Sequence, residues 1–505
     1  MLSRRVRFLA ASLLALVAAL GCGETSSGTL PGSSGGASAG GAGGAGGTGG
    51  ASATASGPGA GGAAGSGGGT YQIQGGAPPG TGGAPLAGLG GSTGGVSAGG
   101  MPSLGGSPTT SGGAPEGGSL WRGPTPADDT ANFPFPQNRE NPNCSYPTDY
   151  RNEDVVEAYA KWKSDLVTSN GAGGHLRVQR LPSDPGLEPY STVSEGIGYG
   201  MMIAVYMNDQ PLFDELWQYE QLWVDDATGL MNWYINAEGT ALGTDPDGWG
   251  AATDADEDMA WALVMADRQW GGQGSLSRSY IDFARTLIAS IFDNEIYDGK
   301  LPKNGSQWGD WDNLNISYFA PANYRVFADV SGNSAWSMDV VQTVYDTIDN
   351  NLKADNGNTD NGLVPAWSTS EGAAVPDQPF SYQYDSCRTP FRIGLDACLF
   401  DEPRAITYLA KISSFFSEIG AANIVDGYQL DGTPSPEHPG QQSSSFVGPA
   451  GVGAMSSNSF QQLVDEAYTL IRSGNLMCGG VYYDESWMML SLLMMTGNYL
   501  DYTKY

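Results

Sequence analysis

Two stretches of this chain are apolar at nearly every position: Met201-Met202-Ile203-Ala204-Val205 and Met488-Met489-Leu490-Ser491-Leu492-Leu493-Met494-Met495. A helix of that composition has no face for water and is stable only with neighbours on every side. Neither stretch is long enough to span a bilayer. Apolar residues recur at helical spacing over 155–167, 197–207, 212–222, 259–269, 280–291, 340–352, 393–400, 405–416, 460–471 and 487–496. Strand-like alternation is sparse. Some ten to twelve helices, fully apolar ones alternating with amphipathic ones, predict an all-α toroid of six helical hairpins with a buried inner ring. Gly196, Gly198 and Gly200 fit a place where helices approach closely, at a propensity cost of about 1 kcal/mol each. The loops between helices are long and rich in Gly, Asp, Asn and Trp, as in Asp245-Pro246-Asp247-Gly248-Trp249-Gly250, which is how a binding cleft is built on a helical scaffold.

The toroid accounts for residues 121–505. Residues 1–22 read as a lipoprotein-type export signal: Arg4, Arg5 and Arg7, an apolar run over 8–20, then Gly21-Cys22, with Cys22 acylated as the mature N-terminus. Residues 23–120 are almost entirely Gly, Ser, Ala, Thr and Pro. Without apolar period and with almost no charge they cannot offset the entropy of folding, so they form a disordered linker with a reach of about 50–60 Å. The expectation is an extracellular or cell-surface monomer that touches the membrane only through its lipid anchor. A net charge of −31 and the lack of any basic patch exclude nucleic acid as a partner.

Five cysteines are present. If Cys387 and Cys398 share a helix they stand about 13–16 Å apart, too far to bridge each other. Cys144 and Cys478 are then each expected to reach one of them. His175 and His438 are the only histidines and no CxxC spacing occurs, so metal and Ser-His-Asp chemistry have little to work with. Carboxylates must carry any reaction.

Three acids stand in unusual surroundings, each where a loop enters an apolar helix. Glu195 lies in Ser194-Glu195-Gly196-Ile197-Gly198-Tyr199-Gly200, Asp254 in Ala252-Thr253-Asp254-Ala255-Asp256-Glu257-Asp258-Met259-Ala260, and Asp385 in Tyr384-Asp385-Ser386-Cys387-Arg388-Thr389-Pro390. The plain alternative for Asp254 and Asp385 is helix capping, and for Glu195 a first-turn surface residue. Asp256 and Asp258 read as structural or surface residues. Carboxylates in a cleft with flat aromatics are the equipment for cleaving a glycosidic bond. Of the tryptophans, Trp233, Trp249, Trp308 and Trp311 lie in loops, whereas Trp261 and Trp487 read as core.

These three motifs, together with Trp308-Gly309-Asp310-Trp311, Tyr318-Phe319-Ala320-Pro321 and Tyr324-Arg325-Val326-Phe327, resemble glycoside hydrolase family 8 from about residue 141 to 500. The family comprises inverting endoglucanases, xylanases, lichenases and chitosanases on an (α/α)6 barrel. The resemblance implies Glu195 as general acid, Asp385 as general base, and Asp254 as the residue that holds and helps distort the central sugar. It also implies Trp233, Trp308, Tyr318, Arg388, Tyr482 and Tyr483 as substrate-binding or base-positioning residues, and no cofactor. A base in the segment before Arg-Thr-Pro favours the glucanase and xylanase branch over the chitosanases. The expected activity is an endo-β-1,4-glucanase, with endo-xylanase, lichenase or chitosanase as the alternatives on the same fold. From another class, a non-catalytic polysaccharide-binding surface lipoprotein remains the rival. For the chemistry to work, Glu195 must titrate well above a free glutamate, with burial and the like charge of Asp254 overcoming the helix dipole. Asp385 must act as the carboxylate, with Arg388 holding its charge and Tyr318 helping to orient water.

Overall fold

The computed structural model describes residues 131–505 except 185, 438 and 477–480. The signal with Cys22, the linker, the first ten residues of the expected domain, His438 and Cys478 lie outside the described residues. Twelve α-helices among the described residues alternate between two environments. Helices α1 (Asn152–Leu166), α3 (Gln210–Gln221), α5 (Tyr280–Glu295), α7 (Val341–Asn351), α9 (Pro403–Ile419) and α11 (Gln461–Arg472) each bury one face. In α11 the buried Leu463, Val464, Ala467, Tyr468 and Ile471 form a single stripe at helical spacing.

The other six are α2 (Ser194–Tyr206), α4 (Thr253–Trp270), α6 (Pro321–Ser331), α8 (Thr389–Phe400), α10 (Ser444–Ala454) and α12 (Tyr482–Met495). Three of them are enclosed almost completely: α10 buries every residue, α2 every residue but Glu195, and α12 every residue but Tyr483. These helices pack in the order α2, α4, α6, α8, α10, α12, and α12 returns to α2 to close a ring. The one-faced helices back it from outside: α3 on α2, α5 on α4, α7 on α6, α9 on α8, α11 on α10 and α1 on α12. This is the expected (α/α)6 barrel.

Close approach in the ring depends on small residues. A methyl group at Gly198 of α2 would stand 3.1 Å from the Ala255 carbonyl oxygen and 3.2 Å from Asp258 Cβ, so α2 and α4 meet at that point. Five two-residue antiparallel ladders among the described residues tie loops together. Two of them serve the cleft: Thr192–Val193 pairs with Tyr234–Ile235, and Leu314–Asn315 with Trp367–Ser368.

Two helices lie where no helical spacing is legible. Helix α10 has the sequence Ser-Ser-Phe-Val-Gly-Pro-Ala-Gly-Val-Gly-Ala, which reads as a loop. Its small residues admit α12, since a methyl at Gly448 would stand 2.5 Å from Ser491 Oγ. Helix α6 opens with Pro321 and is short. Helix α4 also begins six residues before the apolar spacing, because its first turns bury acids instead of aliphatics.

The cysteine pairing needs correction. Cys144 does bridge Cys398, tying the N-terminal segment to α8. Cys387, however, is a free buried thiol rather than half of a second disulfide. Its Sγ lies 3.1 Å from the Tyr384 carbonyl oxygen and 3.6 Å from Tyr483 Oη, enclosed by the cleft wall.

Candidate active site

Arg388 is the N-cap residue of α8, and its guanidinium is almost wholly buried where α2, α4 and α8 converge. Nη1 donates to Glu195 Oε2 at 2.5 Å and to Asp254 Oδ2 at 2.6 Å, with Tyr199 Oη at 3.4 Å. Nε donates to Ser317 Oγ at 3.0 Å, and Nη2 lies 3.9 Å from Asp385 Oδ1. The planar cation sits over the Tyr318 ring at 5.1 Å and near the Tyr483 ring at 6.0 Å. One side chain therefore gathers all three acids that the sequence singles out. Across one guanidinium, these contacts place Glu195 Oε2 and Asp385 Oδ1 no more than about 9 Å apart.

The spacing of four residues on α4 and on α8 repeats this contact one turn along. Asp258 follows Asp254, Arg392 follows Arg388, and Arg392 forms a bidentate pair with Asp258 at 2.8 and 2.9 Å. Asp258 is thus structural and buried, not at the surface, and Asp256 is buried as well. Neither Asp254 nor Asp385 caps a helix: α4 is capped at Ala252 without a side-chain bond, and α8 at Arg388.

Glu195 opens α2, held by the Thr192–Val193 ladder and by the Ser194 amide donating to the Trp233 carbonyl at 2.8 Å. Its carboxyl is pushed up to about 7. Burial is the largest cause, the Arg388 charge opposes it, Asp254 raises it again, and hydrogen bonds from Tyr482 and Tyr199 lower it. Tyr482 Oη donates to Glu195 Oε1 at 2.6 Å. Burial, with the like charge of Asp254, outweighs the Arg388 cation, whose Nη1 is shared with Asp254.

Asp385 sits in a partly open turn just before α8. It accepts hydrogen bonds from Asn315 Nδ2 at 3.2 Å, Trp367 Nε1 at 3.3 Å and Gln383 Nε2 at 3.0 Å. Arg388 does pair with Asp385 as expected, at 3.9 Å, but its closer contacts go to Glu195 and Asp254, and neutral donors supply the hydrogen bonds of Asp385. Asn315, Trp367, Gln383, Tyr199 and Ser317 escaped the sequence reading. Only Gln383, two residues from Asp385, carries a local signal.

Of the aromatics, Trp233, Trp308, Tyr318 and Tyr483 are half-buried, and Tyr482 is buried with its hydroxyl on Glu195. Trp261 and Trp487 are core. The site therefore combines an acid raised to about 7, a second carboxylate at most about 9 Å away, and partly exposed indoles.

A closed double ring of helices with paired carboxylates at one mouth defines a class of glycan-cleaving enzymes. The chain belongs to glycosyl hydrolases family 8, whose sequence model matches residues 136–497. It is 38% identical over 377 residues to Endoglucanase C of Ruminiclostridium cellulolyticum, covering 73% of this chain and 77% of that protein. With Endoglucanase A of Acetivibrio thermocellus it shares 39% identity over 342 residues, 67% of this chain and 68% of the relative. The solved apo structure of a β-1,3-1,4-glucanase from Paenibacillus sp. X4 superposes with a TM-score of 0.65 at 27% identity, covering 73% of this chain and 99% of that one. The protein is a glycoside hydrolase.

Proposed function

We propose that the enzyme is an inverting endo-β-1,4-glucanase. The observation that carries this reading is the Arg388 hub, which sets Glu195, with its carboxyl at about 7, across a shared cleft from Asp385. A separation of about 6.5–9.5 Å leaves room for one water between sugar and base. In this reading Glu195 gives its proton to the departing glycosidic oxygen as the C1–O bond breaks. Water enters at C1 from the opposite face while Asp385 takes its proton, so the new hydroxyl appears with inverted configuration. Asp254 holds the central sugar, Tyr318 aids in aligning the water, and Trp233 and Trp308 stack on sugar faces. Tyr482 and Tyr483 line the same subsite. Curated relatives named endoglucanases at 38–39% identity support a glucan substrate.

A lichenase reading has support of its own in the β-1,3-1,4-glucanase fold match and in a β-glucanase of Niallia circulans at 29% identity. Reducing-sugar release from carboxymethylcellulose, mixed-linkage glucan, xylan and chitosan tests the assignment. The glucanase reading requires carboxymethylcellulose to be cleaved faster than xylan, and preference for xylan or chitosan would defeat it. Cys22, the basic start and the polar linker sequence support a cell-surface enzyme tethered through a lipid. Radiolabelled palmitate that still enters a Cys22→Ser chain would contradict the anchor.

A further inference from the structure

Trp249 is, among the described residues, the one tryptophan that stands exposed, with 48% of its surface open. The loop that carries it is firmly held. Gly248 N donates to the Gly243 carbonyl at 2.8 Å, and Trp249 N donates to Asp247 Oδ1 at 3.2 Å. Gly250 N donates to Asn232 Oδ1 at 2.9 Å. The same loop positions both indoles that the family motifs assign to sugar. Trp233 Nε1 donates to the Asp247 carbonyl at 3.0 Å, and Trp233 N donates to the Gly250 carbonyl at 2.8 Å. A methyl at Gly250 would stand 3.1 Å from Trp308 Cζ3, so the Trp308 ring lies against the residue that follows Trp249.

Single apolar residues on a surface need no explanation. An exposed indole on a rigid loop that also seats two cleft indoles is a different case. It adds nothing to the core, and residues on either side of it, Asp247 and Gly250, touch Trp233 and Trp308, so its backbone is already ordered beside them and little entropy is lost when a ligand stacks on it.

We propose that Trp249 is an outer sugar-stacking platform that extends the glycan cleft past Trp233 and Trp308 and makes the enzyme prefer long chains. The occupant is a β-linked glucan strand already engaged at the carboxylates, and the proposal rests on the glucanase reading above.

The test compares wild type, Trp249→Ala and Trp249→Phe in the full chain on cellotriose through cellohexaose and on carboxymethylcellulose. The alanine variant is expected to lose about three- to tenfold in kcat/KM on the polymer and the longest oligosaccharides. The loss shrinks steadily as the oligosaccharide shortens, and the phenylalanine variant recovers most of it. Calorimetric binding in a Glu195→Gln background should show the same length-dependent loss of affinity. A loss equal at every length, or none at any length, overturns the platform and leaves the glucanase reading intact. A wild-type enzyme silent on every one of these glucans defeats that reading, and the platform with it.

Discussion

One guanidinium facing three carboxylates leaves the cleft short of positive charge, and the Glu195 proton relieves the imbalance. Two of the neighbours of Glu195 pull in opposite directions. Asp254 raises its carboxyl, and the Tyr482 hydroxyl, which donates to the carboxylate, lowers it. The alkaline limb of kcat/KM against pH reports this group in the free enzyme, so activity should fall as pH rises through about 7. Asp254→Asn removes a like charge and is expected to move that limb to lower pH. Tyr482→Phe removes a donor and is expected to move it to higher pH. Shifts in one common direction would contradict the account. Glu195→Gln should lower kcat by about 10²–10⁴-fold while circular dichroism stays unchanged, and a smaller loss would deny Glu195 the acid role. The acids themselves were legible because each stands in a distinctive motif. The donors that fix Asp385 were not, since Asn315 and Trp367 come from a ladder between distant loops that leaves no local trace.

At the scale of elements, the inner ring is held by contacts that tolerate little added volume. Gly198→Ala would push a methyl against the backbone of α4, and that strain is expected to cost about 1–3 kcal/mol of stability. Thermal unfolding checks this, and an unchanged midpoint would mean that α2 and α4 have room to spare. The same economy of volume explains which helices could be read. Those with aliphatic stripes, such as α11, announce themselves by period. Helix α10 is built of Gly, Ser, Ala and a proline, chosen for close packing on α12 rather than for helix propensity, and so it is hidden in the sequence. The first turns of α4 were obscured differently, by acids that belong on a surface by type yet are buried here. Arg392 pairs with Asp258, and Tyr324 Oη donates to Glu257 at 2.7 Å.

For the whole molecule, buried acids make stability depend on pH in an unusual sense. Burial lifts both Glu220 and Glu295 from 4.5 to about 8, and Asp256 beside them is raised as well, with Asp254 and Lys303 as the neighbouring charges. A raised folded value means the folded chain keeps a proton that the unfolded chain has released. The stability these groups contribute is complete below about pH 4.5 and is lost as pH climbs to about 8, by on the order of 1.4 kcal/mol per pH unit per group. The melting temperature should therefore fall between about pH 5 and pH 8, and Glu295→Gln should flatten that fall. A melting temperature that rises across this range would refute the buried-acid account.

The central claim is that Glu195 and Asp385 act from opposite faces of one sugar in a single displacement. Proton NMR of cellopentaose during its first turnovers reads this directly from the anomeric signals. The account requires the new reducing end to appear first as the α-anomer and only later to equilibrate. A β-anomer formed first would mean retention, and Asp385 could not be the base that activates water.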